Sequence, residues 1–243
     1  DIPSDASLSW QRDWAFLQLK SDLVAGKATY TAGSLVAIRW DALLRGERSF
    51  DVLFAPTATR SLGRAGMTMT RDYLLLSLMD NVAGRVEEVR FDKGAWVHRA
   101  VDAPFPGTLG AKSLHDPSVK NDPLANTYVL NYADFLTPDS LYLGQAGSDK
   151  RTLLKSRPQF FEADGMRAEQ LFATNKDGTR VPYFVVWPKG TKADGSNPTI
   201  LYGYGGYQIS QQPSYSGTYG NAWFNKGGVL VVANIRGGGE FGP

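Results

Sequence analysis

Thr199-Ile-Leu-Tyr-Gly-Tyr-Gly-Gly-Tyr207 is an apolar run of strand type that breaks into a loop, and the stretch carries three glycines and three tyrosines. Backbone N–H groups and a phenol are thereby presented at the carboxyl edge of a sheet, where open α/β sheets keep their sites. A second run, Gly228-Val-Leu-Val-Val-Ala-Asn-Ile-Arg236, also breaks into glycine, at Gly237-Gly-Gly-Glu-Phe-Gly242. We therefore place the chemistry at the first of these loops and expect the rest of the chain to support or shield it.

Working outward, Ala168-Glu-Gln-Leu-Phe-Ala-Thr174 and Thr179-Arg-Val-Pro-Tyr-Phe-Val-Val-Trp187 flank Asn175-Lys-Asp-Gly178, a pattern that predicts a hairpin around an Asp-Gly turn. Proline cannot donate to a ladder, so Pro182 predicts an edge strand or a bulge. Between the two apolar strands, Ala222-Trp-Phe-Asn-Lys226 reads as the end of a short helix with Gly227 as its stop. Upstream, the texture changes between Lys155 and Arg167, where Arg157-Pro-Gln-Phe-Phe-Glu-Ala-Asp-Gly165 is an extended, proline-marked crossing. The domain boundary is placed there, with residues 1–160 before it and 161–243 after it.

From Leu8 to about Phe160 the chain alternates short strand candidates with turn signals. The candidates include Trp14–Leu19, Ser34–Trp40, Tyr73–Leu78, Val86–Phe91, Ala95–Arg99, Thr127–Tyr132 and Ser140–Leu143. This pattern predicts an antiparallel all-β architecture. At about 40 to 45 residues per four-stranded blade, the region would supply three to four propeller blades; a single β-sandwich is the alternative left open.

Composition removes several classes of function. With 243 residues and 42% hydrophobic content the chain can bury a sizeable core. Its 26 basic and 24 acidic residues leave a net charge of +2, too small and too evenly spread for a nucleic-acid surface. There is no cysteine, hence no disulfide, thiolate metal site or cysteine nucleophile, and the redox compartment is left open. No run approaches the roughly 18 apolar residues of a membrane span, and no signal peptide opens the sequence. It starts at Asp1 and ends inside a glycine loop, from which we expect an internal piece of a longer protein.

Each motif has two readings. Gly237, Gly239 and Gly242 match G-x-G-x-x-G after an apolar strand, as in a dinucleotide-binding turn. That fingerprint also needs a helix and an acidic residue about 20 residues on, and the sequence supplies neither before Pro243. As structure alone, the glycines make a tight turn against which a neighbouring loop packs closely. Tyr204 is either an aromatic packed at a strand end or a hydroxyl aimed at a developing oxyanion, where one donor is typically worth about 2.7 to 4 kcal/mol. The order hairpin, strand, glycine loop, strand puts it where α/β-hydrolases keep an oxyanion donor. No serine stands in a G-x-S-x-G elbow. His98 and His115 precede the predicted hydrolase sheet, contrary to the triad order of that fold, and read as surface or packing residues. No histidine pair has helical metal-ligand spacing, so no metal site is expected.

Pro198–Tyr207 and Gly227–Gly242 closely resemble, in order and spacing, the corresponding motifs of the prolyl oligopeptidase family of serine peptidases. Gln170–Pro182 is similar to that family's entry into its catalytic domain, and Asp134-Phe-Leu-Thr-Pro138 to the last part of its propeller. The resemblance implies β-propeller blades, seven in the intact family, followed by the N-terminal strands of an α/β-hydrolase domain. It implies a peptidase without cofactor that cleaves short proline-containing peptides after proline, a monomer when full length, and a cytoplasmic setting with a periplasmic or secreted one as alternative. Tyr204 would be the oxyanion donor. Tyr207, standing where phenylalanine is common, would wall the pocket for the proline ring while adding a hydroxyl that needs a partner. Phe241 stands where tyrosine is usual. The triad serine, aspartate and histidine would follow Pro243, so the chain by itself is expected to be inactive. A related oligopeptidase preferring basic residues and a non-catalytic propeller module are the rival readings.

Overall fold

In the computed structural model, which describes residues 2–103 and 106–241 apart from the side chains of Arg64, Ala65 and Gln208, three antiparallel sheets precede a mixed one. The first contains β1 (Ser7–Gln11) and β2 (Trp14–Gln18); then come a small hairpin of β3 (Leu23–Ala25) and β4 (Ala28–Tyr30), the strand β5 (Leu35–Arg39), the helix α1 (Trp40–Leu44) and β6 (Asp51–Phe54), giving the order β1-β2-β5-β6. The second is a meander of β7 (Arg60–Met69), β8 (Leu74–Asp80), β9 (Ala83–Asp92) and β10 (Ala95–Ala100). The third is another, of β11 (Thr108–Ser113), β12 (Thr127–Ala133), β13 (Ser140–Gln145) and β14 (Arg151–Ser156). Every candidate strand run named above lies in one of these strands except at its ends; Trp40, read as strand, opens α1 instead.

Packing decides between sandwich and propeller. In a two-sheet sandwich each sheet buries one face, whereas β8 is buried on both. Side chains alternate across a strand, so Leu74, Leu76 and Leu78 point one way and meet Phe16, Leu35, Ala37, Leu53 and Phe54 of the first sheet. Leu75 points the other way and meets Leu109, Ala111, Tyr128 and Leu130 of the third. Three sheets stacked face to face in chain order are propeller blades. The other face of the first blade is filled from within the chain, where Leu17, Leu19, Leu23, Val36, Ile38 and Phe50 are joined by Tyr30 and Leu43.

The fourth sheet has the order β15-β16-β18-β17, from β15 (Arg167–Thr174), β16 (Arg180–Trp187), β17 (Thr199–Gly203) and β18 (Val229–Ala233). β15 and β16 form the expected hairpin. β17 and β18 run parallel, in register from Thr199↔Val229 to Gly203↔Ala233. Their crossover carries the helix α2 (Gly217–Ala222), capped by Ser216, and a 3-10 turn at Phe224–Lys226 that Gly227 ends in a left-handed conformation, as predicted. One face of the sheet is covered by Phe161, Tyr215 and Phe224 over Phe184, Val186, Leu230 and Val232. Two blade turns plug into that core, through Val82 between β8 and β9 and Phe135 between β12 and β13. Asp134 shapes the second turn by accepting from the N–H groups of Leu136 and Thr137 at 2.7 and 2.5 Å, and Phe135 reaches Phe184 at a ring separation of 5.5 Å.

The expectation for Pro182 is corrected: β16 is an interior strand, between β15 and β18. The Pro182 carbonyl accepts from the Asn234 N–H at 3.0 Å, one position past the last residue of β18. The N and C=O of one strand residue face the same side, so the donor that proline lacks is missing opposite Asn234, one position past the last pair of the β16–β18 ladder, Tyr183↔Ala233, where it costs the sheet a bond at the ladder's end and not in its middle.

Burial on both faces makes β8 the strand least tolerant of truncation. Leu76→Ala, at a fully buried position, is expected to cost about 2 to 5 kcal/mol in denaturant unfolding. Leu153→Ala, at a position 54% exposed on β14, should stay within about 0.5 kcal/mol of the parent.

Candidate active site

Parallel pairing of β17 with β18 sends both glycine-rich loops off the same edge of the sheet, side by side, since Gly203 is level with Ala233. The loops touch through their glycines. A Cβ on Gly205 would lie 2.9 Å from the Arg236 carbonyl oxygen, and one on Gly237 would lie 3.1 Å from the Gly205 carbonyl oxygen. Gly237 and Gly239 also have φ of +92° and +78°, where a side chain would be strained. This is the close-packing turn; Gly242, the third glycine of the dinucleotide-type match, lies outside the described residues.

Tyr204 is partly buried, and its phenol folds back over the loop so that a Cβ on Gly206 would stand 2.7 Å from the hydroxyl oxygen. The missing side chain of Gly206 is what lets the ring lie on the backbone. Its hydroxyl makes no hydrogen bond among the described residues. Tyr207 lies three residues on in left-handed conformation (φ 55°, ψ 27°) and is 93% exposed. A non-glycine residue held there costs about 1 to 3 kcal/mol and is characteristic of functional sites. The same loop carries both tyrosines, but neither lines the cavity of about 640 Å³ between the second blade and the fourth sheet. That cavity is walled by Thr59 and Asn81, by Phe172 and Pro182, and by the loop from Ile235 to Phe241.

Sequence reasoning passed over the residues that tie the loops together. Glu240 is 2% exposed, and its Oε1 accepts from the Gln211 N–H at 2.9 Å and from Asn234 Nδ2 at 3.1 Å. Asn234 Nδ2 also donates to the Gln211 carbonyl at 2.7 Å, so two acceptors fix the orientation of its amide. Asn234 Oδ1 is left buried without a partner among the described residues. Ser210 Oγ lies 3.4 Å from the Gly238 carbonyl, and a Cβ on Gly238 would fall 2.1 Å from Glu240 Oε2. From the second blade, Ser61 Oγ donates to the Glu240 carbonyl at 3.1 Å in a buried contact. Further bonds cross the same seam: Gln212 Nε2 to the Val82 carbonyl at 3.3 Å, Thr108 Oγ1 to the Pro213 carbonyl at 2.6 Å, and Gln170 Nε2 to the Asn81 carbonyl. The one available signal was a polar Asn ending an apolar strand six residues before a carboxylate in a glycine loop.

His98 and His115 stand apart from these loops. The first pairs with Glu87 on β9 at 2.6 Å and the second with Asp122 in the β11–β12 loop at 2.7 Å. Among the described residues no three His, Cys, Asp or Glu side chains come together as metal ligands, and no helix is long and apolar enough to cross a membrane.

Blades stacked beside a sheet of this order, with two glycine loops at its carboxyl edge, define a β-propeller joined to the opening strands of an α/β-hydrolase domain. No family model matches the chain. An uncharacterized peptidase of Sinorhizobium fredii is 41% identical over 246 residues, covering 100% of this chain and 33% of that protein. A prolyl endopeptidase of Elizabethkingia meningoseptica is 31% identical over 170 residues, 70% of this chain and 23% of that protein. The solved structure of a post-proline cleaving enzyme from Rickettsia typhi superimposes with a TM-score of 0.79 at 31% identity, over 100% of this chain and 34% of that one. The chain belongs to the prolyl oligopeptidase family. It spans about a third of the length of the first of these relatives.

At the rim of the cavity, Arg236 pairs with Asp177 of the hairpin turn at 2.6 Å. The Thr179 backbone N–H, and then Arg236, hold the Asp177 carboxyl down at about 2, against an ordinary value of 3.8. A depressed folded value means stabilisation that is present above the unfolded value and is lost as pH falls from about 4 towards 2. Asp177→Asn keeps the acceptor for Thr179 but not the ion pair. Its melting temperature is expected to sit slightly below the parent's at pH 7, and the gap should close as the scan is repeated between pH 5 and pH 2.

Proposed function

We propose that the chain serves a serine-type peptidase that cleaves short peptides after proline through an acyl-enzyme. In this reading residues 1–160 are propeller, and residues 161–243 are the linker and the start of the catalytic domain. Tyr204 donates its hydroxyl to the tetrahedral oxyanion, Tyr207 walls the pocket for the proline ring, and the triad serine, aspartate and histidine come from outside residues 1–243. The observation that carries the reading is the Tyr204 phenol, laid against Gly206 at the sheet's carboxyl edge with its hydroxyl bonded to no described residue. The names of the relatives support the specificity: one is a prolyl endopeptidase and one a post-proline cleaving enzyme.

A serine activated through histidine would attack the scissile carbonyl, and the charge gathering on that oxygen is what a fixed donor stabilises. A hydroxyl already held in place costs no reorganisation at that moment. Tyr207, in its exposed left-handed position, would offer an aromatic face to a pyrrolidine ring and leave its own hydroxyl to water. The partner is then a short peptide, and the working unit a monomer.

In the full-length protein, Tyr204→Phe is expected to lower kcat by about 10²-fold on a chromogenic Gly-Pro anilide with little change in KM. The separate chain should not hydrolyse that substrate at all. Faster cleavage after arginine than after proline across a matched panel would give the site to a basic-residue oligopeptidase. A full-length protein that cleaves neither would leave the propeller as a binding module.

A further inference from the structure

The seam between blade and sheet contains one carboxylate that the proposed chemistry does not use, and it bridges three segments. Glu240 Oε1 holds Gln211, which ends the loop begun at Tyr204, and Asn234, which ends β18. The Glu240 carbonyl is in turn held by Ser61 of β7. The loop from Gly203 to Gln211 is thus anchored at its start by the ladder of β17 and at its end by a buried side chain, with Gly205 resting on Arg236 and Gly237 between the anchors. No regular secondary structure other than the short turn at Gly206–Gln208 stiffens it.

We infer that Glu240 is a positioning residue: its carboxylate clamps Gln211 to Asn234 and so sets where the Tyr204 hydroxyl stands, and Ser61 ties that clamp to the second blade. Three observations point the same way. The carboxylate is buried yet paired with no cation among the described residues, so its bonds are to an amide N–H and a carboxamide whose places it fixes. Gly238 has no side chain where one would collide with Oε2, which lets the carboxylate turn back on its own loop. The contact with Ser61 joins residues 179 apart in sequence, which makes the clamp answer to the placement of the propeller.

The inference rests on the reading of Tyr204 as an oxyanion donor, and two measurements separate their failures. In the full-length protein, Glu240→Ala is expected to lower kcat about 10²-fold, the scale of a misplacement of about 1 Å, with KM changed less than threefold. Glu240→Gln, which keeps an acceptor oxygen, should recover most of that loss, and Ser61→Ala should give a smaller fall of the same kind. Equal losses in Ala and Gln variants, or a rise in KM that accounts for the loss, would overturn the positioning role. The second measurement is hydrogen exchange on the chain of residues 1–243. Glu240→Ala should speed exchange across 204–212 and leave the β15–β16 hairpin at the parent rate. Uniform acceleration, or none, defeats the inference whether or not the protein proves to be a peptidase. Selective acceleration together with a peptidase indifferent to Tyr204→Phe would leave the clamp standing and remove the oxyanion role.

Discussion

The parallel pairing of β17 with β18 is the constraint from which the functional end of the molecule follows. Two short strands in register from Thr199↔Val229 to Gly203↔Ala233 must release their following residues at one edge. Because both loops begin with residues that lack Cβ atoms at the points of contact, they can share that edge at backbone distance. The phenol of Tyr204 then lies over its own loop instead of packing into a core. Shift the register by one residue and Gly205 would no longer meet Arg236.

The propeller end depends on a different balance. β8 carries an almost uninterrupted apolar run, and a strand with two apolar faces is stable only between two partners. Each well-buried leucine is worth about 1.5 to 3 kcal/mol relative to exposure, so the blades are held in sequence by their shared middle sheet. The same logic brings the blades to the fourth sheet, where Val82 and Phe135 supply the apolar contacts and Ser61, Gln212, Thr108 and Gln170 satisfy polar groups that closure would strand. A seam built from single side-chain hydrogen bonds around two apolar plugs is directional without being large. That is the setting in which one buried carboxylate, Glu240, acquires disproportionate influence over a loop.

Much of this was legible beforehand. Short apolar strand runs set between turn signals named the central strands of every blade, the Asp-Gly turn named the β15–β16 hairpin, and Gly227 named the end of the crossover helix. What escaped were elements whose local signal is weak. The helix α1 is five residues long and follows directly on a strand pattern, so no helical period had room to appear. β7 carries a register irregularity between Leu62 and Met67, which interrupts its alternation. Pro182 read as an edge because the rule concerns its own missing donor, and the place where β18 leaves the sheet lies half a hundred residues downstream.

By itself, then, the sequence determined what neighbouring residues decide among themselves: strand or turn, the breaks at glycine, the hairpin, and the resemblance carried by the Tyr202–Tyr207 and Arg236–Glu240 motifs. Hydropathy period and backbone freedom are local properties and are written in short windows. Only the tertiary structure decided which faces meet, and with them blades over sandwich, an interior Pro182, and the burial of Glu240 against Gln211, Asn234 and Ser61. Those outcomes depend on contacts between residues far apart in the chain. No window of sequence contains the partner whose approach turns an exposed carboxylate into a buried clamp.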